Sequence, residues 1–147
     1  MTLTAKDIAH KIAASESDAD LASAFERVRH WTREGQLELA GERNPGTGRK
    51  RLYANKALTK ALVLNELSHY GLGVGITLAP EFRKNINRAT EYFEEFKGTG
   101  LVCFLVISKA GLRQKARVDI LLREDAQFIL EEEFSSAIVI NLTRLFT

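Results

Sequence analysis

An α+β fold in two parts is predicted for this chain, on three observations. Residues 4 to about 70 place apolar side chains at helical spacing, broken once by a glycine-rich basic stretch. Residues 80–97 repeat aromatic and aliphatic side chains every three or four positions. The last third carries short apolar and β-branched runs of strand length. Residues 1–75 are therefore expected to form one domain of helices around a small hairpin. Residues 80–147 are expected to form a helix followed by a small antiparallel β-sheet.

The first domain is justified element by element. Thr4 can accept from the backbone N–H three residues on, and Asp7 suits the first turn, so a helix starts there with Ile8, Ala9 and Ile12 as its apolar stripe. Asp18 or Asp20 is expected to cap a second helix. On it Leu21, Ala24, Phe25, Val28, Trp31 and Thr32 share one face and Gly35 ends the run. Glu26, Arg27, His30 and Arg33 fall opposite, and Arg29 flanks the stripe. Gln36–Ala40 and Arg49–Tyr53 read as two strands of a hairpin around the turn cluster 41–48, with Arg43 in the turn and Arg49, Lys50 and Arg51 just after its tip. Asn55 is expected to cap a third helix with Leu58, Ala61, Leu62 and Leu67 buried. Gly71, Gly73 and Gly75 then make a joint; they follow a helix and precede no Gly-Lys-Ser/Thr, so they are not a phosphate loop.

In the second domain Phe82, Ile86, Ala89, Phe93 and Phe96 form a narrow stripe on a helix from Glu81 to about Lys97. Leu101–Ile107 reads as a strand buried on both faces, Lys109–Gly111 as a turn, and Arg117–Arg123 as an antiparallel partner. Asp125–Phe134 reads as a short helix and Ala137–Leu145 as a third strand. The Phe82–Phe96 stripe and the Leu101–Ile107 strand are the surfaces expected to join two copies.

Charge sharpens the reading. The 147 residues sum to +2, yet residues 1–26 carry −3, residues 27–60 carry +6 and residues 61–147 carry −1. A local excess of that size on a balanced chain points to a polyanion. One cysteine, Cys103, excludes an internal disulfide and a cysteine-based zinc cluster and is expected to be a small buried hydrophobe. His10 and His69 have no ligand-spaced partners. No cofactor or metal is expected, and no nucleophile, base and orienter can be assembled, so the chain is not read as an enzyme. No apolar run approaches the ~18 residues of a membrane helix, and Met1–Asp7 has no signal-peptide pattern; a cytoplasmic protein is expected.

The order helix, helix, basic hairpin, helix is that of a winged helix-turn-helix. Val28-Arg29-His30-Trp31-Thr32-Arg33-Glu34-Gly35-Gln36-Leu37 resembles the second helix of the mercury-resistance regulator (MerR-type) DNA-binding domain. Arg51-Leu52-Tyr53 before Ala54–Leu58 resembles that family's wing exit, and Tyr70-Gly71-Leu72 the end of its next helix. The resemblance covers roughly residues 3–75. It departs in a longer, more acidic loop before the second helix and in a helix 81–97 about half the length of the family's dimerisation helix. It implies sequence-specific binding of double-stranded DNA by a homodimeric transcriptional regulator. Arg29 stands at the family's helix arginine, Trp31 at its aromatic, and Arg49, Lys50 and Arg51 at the wing.

The residues themselves suit that chemistry. Arg27, Arg29, His30 and Arg33 on the helix, with Arg43, Arg49, Lys50, Arg51 and Tyr53 on the wing, are the candidate DNA-binding set. The wing is assigned to the phosphate backbone and the helix to base edges. Behind nucleic acid, the alternatives for Arg49–Arg51 are a solvated hairpin and a docking site for an acidic protein. A phage excisionase-like or architectural DNA-binding factor, and a protein–protein adaptor, are the alternative functions; any small-molecule effector is left open.

Overall fold

The computed structural model describes residues 2–42, 46–72, 80–109, 117–122 and 136–146. Among the described residues the chain is a mixed α+β protein with four α-helices and two small antiparallel sheets. It divides into two compact units, Met1–Leu72 and Gly73–Thr147. Among the described residues no helix is long and apolar enough to cross a membrane. Arg43, the glycines at 73 and 75, the turn at 110–111 and the helix expected over 125–134 lie outside the described residues.

The first unit opens with a strand that the sequence does not announce. β1 (Thr2–Thr4) pairs antiparallel with β2 (Leu52–Ala54), Leu3 facing Tyr53. Three residues are too few for alternation to register. The expected strand Gln36–Ala40 is reduced to one bridge, Leu39 to Tyr53, and a bond from Ala40 N–H to Leu52 C=O at 2.8 Å. The reason is local. Gln36 and Leu37 both donate to the Trp31 carbonyl, at 2.8 and 3.3 Å, so they complete the helix end instead of extending. Gly35 at φ +69° makes that reversal, a conformation that strains any side chain.

α1 (Ala5–Ile12) begins with the Thr4 cap expected, closed into a box by Asp7. Thr4 N–H and hydroxyl both donate to the Asp7 carboxylate at 2.7 Å, and Asp7 N–H returns to Thr4 Oγ1 at 3.3 Å. α2 (Asp18–Arg33) is capped by Ser17, one residue before the acids expected to do it. Asp20 supports the cap by accepting from the Ser15 and Ser17 hydroxyls. α3 (Asn55–His69) has Ala54 at its cap with no side-chain bond, so Asn55 is its first helical residue and not the cap. No residue from Ala57 to Ser68 is exposed, which differs from the single buried face expected. Lys60 and Glu66 are the only charged side chains in that stretch, so most of its circumference tolerates burial. The core joins Ile8, Ala9 and Ile12 of α1 to Ala24, Val28 and Trp31 of α2, with Leu37, Tyr53 and Ala57, Ala61 and Leu64 of α3.

In the second unit α4 (Pro80–Phe96) packs on a three-stranded sheet, β3 (Cys103–Lys109) central between β4 (Arg117–Leu122) and β5 (Ser136–Asn141), all antiparallel. Leu105 lies opposite Ile120 and Ile140. β5 stops at Asn141, and residues 143–146 turn as a 3-10 helix where strand was expected to Leu145. The turn is fixed by Cys103 N–H donating to Thr143 Oγ1 at 2.9 Å and by Leu142 N–H to Cys103 C=O at 2.9 Å. Phe82, Ile86, Ala89 and Phe93 are buried, as are Cys103 and Leu105–Ser108 of the strand. The stripe from Phe82 to Phe93 thus packs within its own unit. Sealing that apolar area against the unit's own sheet is worth ~25 cal/mol per Å².

Two stability predictions follow from the first unit. Thr32 Oγ1 donates to the Val28 carbonyl at 2.7 Å, so in its 2.8 Å contact with Tyr53 the tyrosine is the donor. Tyr53→Phe removes that donor and should cost about 1 kcal/mol; Thr32→Val strands a buried phenol and should cost about 2 kcal/mol. Denaturation followed by Trp31 fluorescence, the one tryptophan, reads this unit alone; the reverse order contradicts the assignment. The Asp7 carboxyl is held below its ordinary pKa first by the Thr4 backbone N–H and then by its hydroxyl, and Asp20 likewise by the Ser15 and then the Ser17 hydroxyl. Depressed folded-state values mean stability that is complete above the ordinary carboxylate range and lost as pH falls through the folded values. Asp7→Ala with Asp20→Ala should therefore flatten the acid limb of the Trp31 transition; an unchanged limb places the acid sensitivity elsewhere.

Candidate nucleic-acid interface

Three segments of the first unit meet around one surface groove of about 350 Å³. The start of α1 contributes Thr4, Ala5 and Lys6. α2 contributes Phe25 and Arg29, and the segment entering β2 contributes Lys50, Arg51 and Tyr53. Lys6, Arg29, Lys50 and Arg51 thus converge from positions up to 45 residues apart. The register of β1 on β2 causes the convergence: Thr4 opposite Leu52 sets the first turn of α1 beside residues 50 and 51. Lys50 lies close enough to Asp7 to help depress its carboxyl, after the Thr4 bonds.

Arg29 is fixed on two sides. Its Nη1 donates to Glu26 Oε1 at 2.8 Å, and its guanidinium carbon lies 6.0 Å from the Phe25 ring centroid, within cation–π range. Both partners sit on α2, at i−3 and i−4, so the helix itself orients the arginine. Phe25, expected on the buried stripe, stands at its edge and is 36% exposed.

The remaining expected residues divide. Arg33 is exposed and His30 half-buried; with Glu26 they lie within about 60° of one another around α2, on its outward crest. Arg27 lies about 160° from Arg29 around the helix. Its Nε is buried with no hydrogen-bond partner, and its charge helps depress Asp20. It does not join the groove. Arg49 is exposed next to the turn and does not line the groove. Tyr53 is corrected from a DNA contact to a structural residue: it is 1% exposed and its hydroxyl is committed to Thr32. Trp31 is core, as expected.

Sequence reasoning missed Lys6, Phe25 and the first turn of α1. Lys6 sits in the net-negative segment 1–26, which hid its membership of the basic cluster. The strand that brings it in, Thr2–Thr4, is too short for its alternation to register in the sequence.

The second unit has a shallow cavity of about 310 Å³ between α4 and β4, lined by Asn85, Arg88, Ala89, Tyr92, Val118 and Asp119. Among the described residues no cluster of His, Cys, Asp and Glu could hold a metal ion. Burial raises the Cys103 thiol, which suits a packed hydrophobe and not a reactive thiolate. Neither a protein-family model nor a curated protein matches the chain, so its own geometry carries the functional reading.

Proposed function

We propose that residues 2–72 act as a winged helix-turn-helix that binds double-stranded DNA with sequence preference, in a homodimeric transcriptional regulator. The observation that carries the reading is the groove where Lys6, Arg29, Lys50 and Arg51 meet. Four cations held together in one chain repel one another. A polyanion relieves that repulsion and releases its condensed counterions on binding. The first turn of α1 adds its partial positive charge to the same wall.

Duplex DNA suits this surface better than a diffuse acidic partner. α2 is 16 residues, about 24 Å, long. Its outward crest of Glu26, His30 and Arg33 runs beside the groove, and a helix of that width enters a major groove ~12 Å wide. The groove cations then hold the phosphate backbone while the crest faces base edges. Backbone contacts position and base contacts specify, so the two sets should separate experimentally. The homodimer rests on the resemblance and on the gain from reading two half-sites; sedimentation at micromolar concentration tests it, and a monomer bound to a single half-site contradicts it.

Replacing Arg29, Lys50 and Arg51 with Ala should weaken binding to every duplex and lower the log–log salt slope by about 2–3. Arg33→Ala or His30→Ala should narrow the gap between preferred and random duplex. Arg27→Ala should do neither. Titrations from 50 to 200 mM salt check all of these; a triple variant with unchanged affinity and slope refutes the groove as the backbone site.

A further inference from the structure

We propose that Glu26 is a specificity-determining residue of the interface, parked on Arg29 in the free protein and released to a cytosine amino group on the correct sequence. The inference rests on the duplex-DNA reading above. Glu26 and Arg29 share one hydrogen bond of 2.8 Å, and Arg29 lines the cationic groove while Glu26 lies on the outward crest between Arg33 and His30. The two partners therefore face different parts of a bound duplex. Arg29 faces the phosphate backbone and Glu26 the base edges.

A carboxylate on that crest meets a repelling surface wherever the helix docks. When Arg29 turns to a phosphate, Glu26 loses its cation as well. Phe25, 6.0 Å below the guanidinium, keeps Arg29 in place through that exchange. Glu26 then needs a donor, and in the major groove a carboxylate accepts from the N4 amino group of cytosine. Sequences without that donor leave it repelled and unpaired, so Glu26 rejects them. As an exposed ion pair it contributes little to folding, and its substitution leaves the fold intact.

The experiment selects bound duplexes from a randomised pool, with the wild-type chain, Glu26→Ala, Glu26→Gln and Glu16→Gln. Glu16 is an exposed acid of the same unit, paired with His10 and apart from the groove, and serves as the control for net charge. The wild type should select a motif with a cytosine position that Glu26→Ala relaxes by about tenfold. Glu26→Gln should move that position toward adenine, whose N6 and N7 suit a carboxamide. Both variants should bind random duplex more tightly than Glu16→Gln does. A motif unchanged in both Glu26 variants, or an equal gain from Glu16→Gln, overturns this proposal and leaves the DNA reading standing. A wild type that enriches no duplex overturns both.

Discussion

One tyrosine ties the functional unit together. Tyr53 pairs with Leu3 of β1 on one side and bridges to Leu39 on the other. Its hydroxyl reaches Thr32 near the end of α2. Each groove segment is thus referenced to the same residue: the start of α1 through β1, α2 through Thr32, and residues 50–51 through the chain itself. A buried aromatic is a strong anchor because it removes 150–250 Å² from water, and its single polar atom specifies an orientation that area alone would not. Without that hydroxyl contact the same apolar core could close with α2 turned slightly.

Convergence of like charges has an electrostatic consequence that the fold manages with its own acids. Glu26 neutralises Arg29, and Asp7 lies near Lys50 while closing the α1 cap. Asp7 is thereby both a folding residue and a local counter-charge. The Asp7 carboxyl is lowered first by its Thr4 bonds and only after them by Lys50. Glu26 has no backbone role of that kind. Its carboxylate accepts from Arg29 Nη1 on the next turn of the same helix.

Much of the first unit was legible in its sequence, and the limits have physical causes. The Thr4 cap, the Trp31 stripe and the Gly35 stop follow from spacing and local hydrogen bonding, which a sequence displays directly. β1 was not legible, because three residues carry no periodicity and their pairing with Leu52–Ala54 is a contact across 50 positions. The groove inherits that blindness. Arg29, Lys50 and Arg51 stand out by composition, but Lys6 enters only through the strand pairing. Arg27 shows the converse: its residue type suits DNA, yet its position on α2 turns it toward Asp20. In the second unit, the 3.5-residue stripe on α4 packs within its own unit. Periodicity reveals that a face is apolar and cannot say whether its partner is another chain or the chain's own sheet.

The proposed function requires α1, α2 and the segment before β2 to present one joint surface to DNA. Backbone amide shifts recorded while a duplex is titrated into the full chain test it most directly. Perturbations should cluster at Thr4–Lys6, Phe25–Arg33 and Lys50–Arg51 and grow together with one dissociation constant. Perturbations confined to α4 and β3–β5, or centred on Arg27 and Asp20 with the groove unaffected, would contradict it.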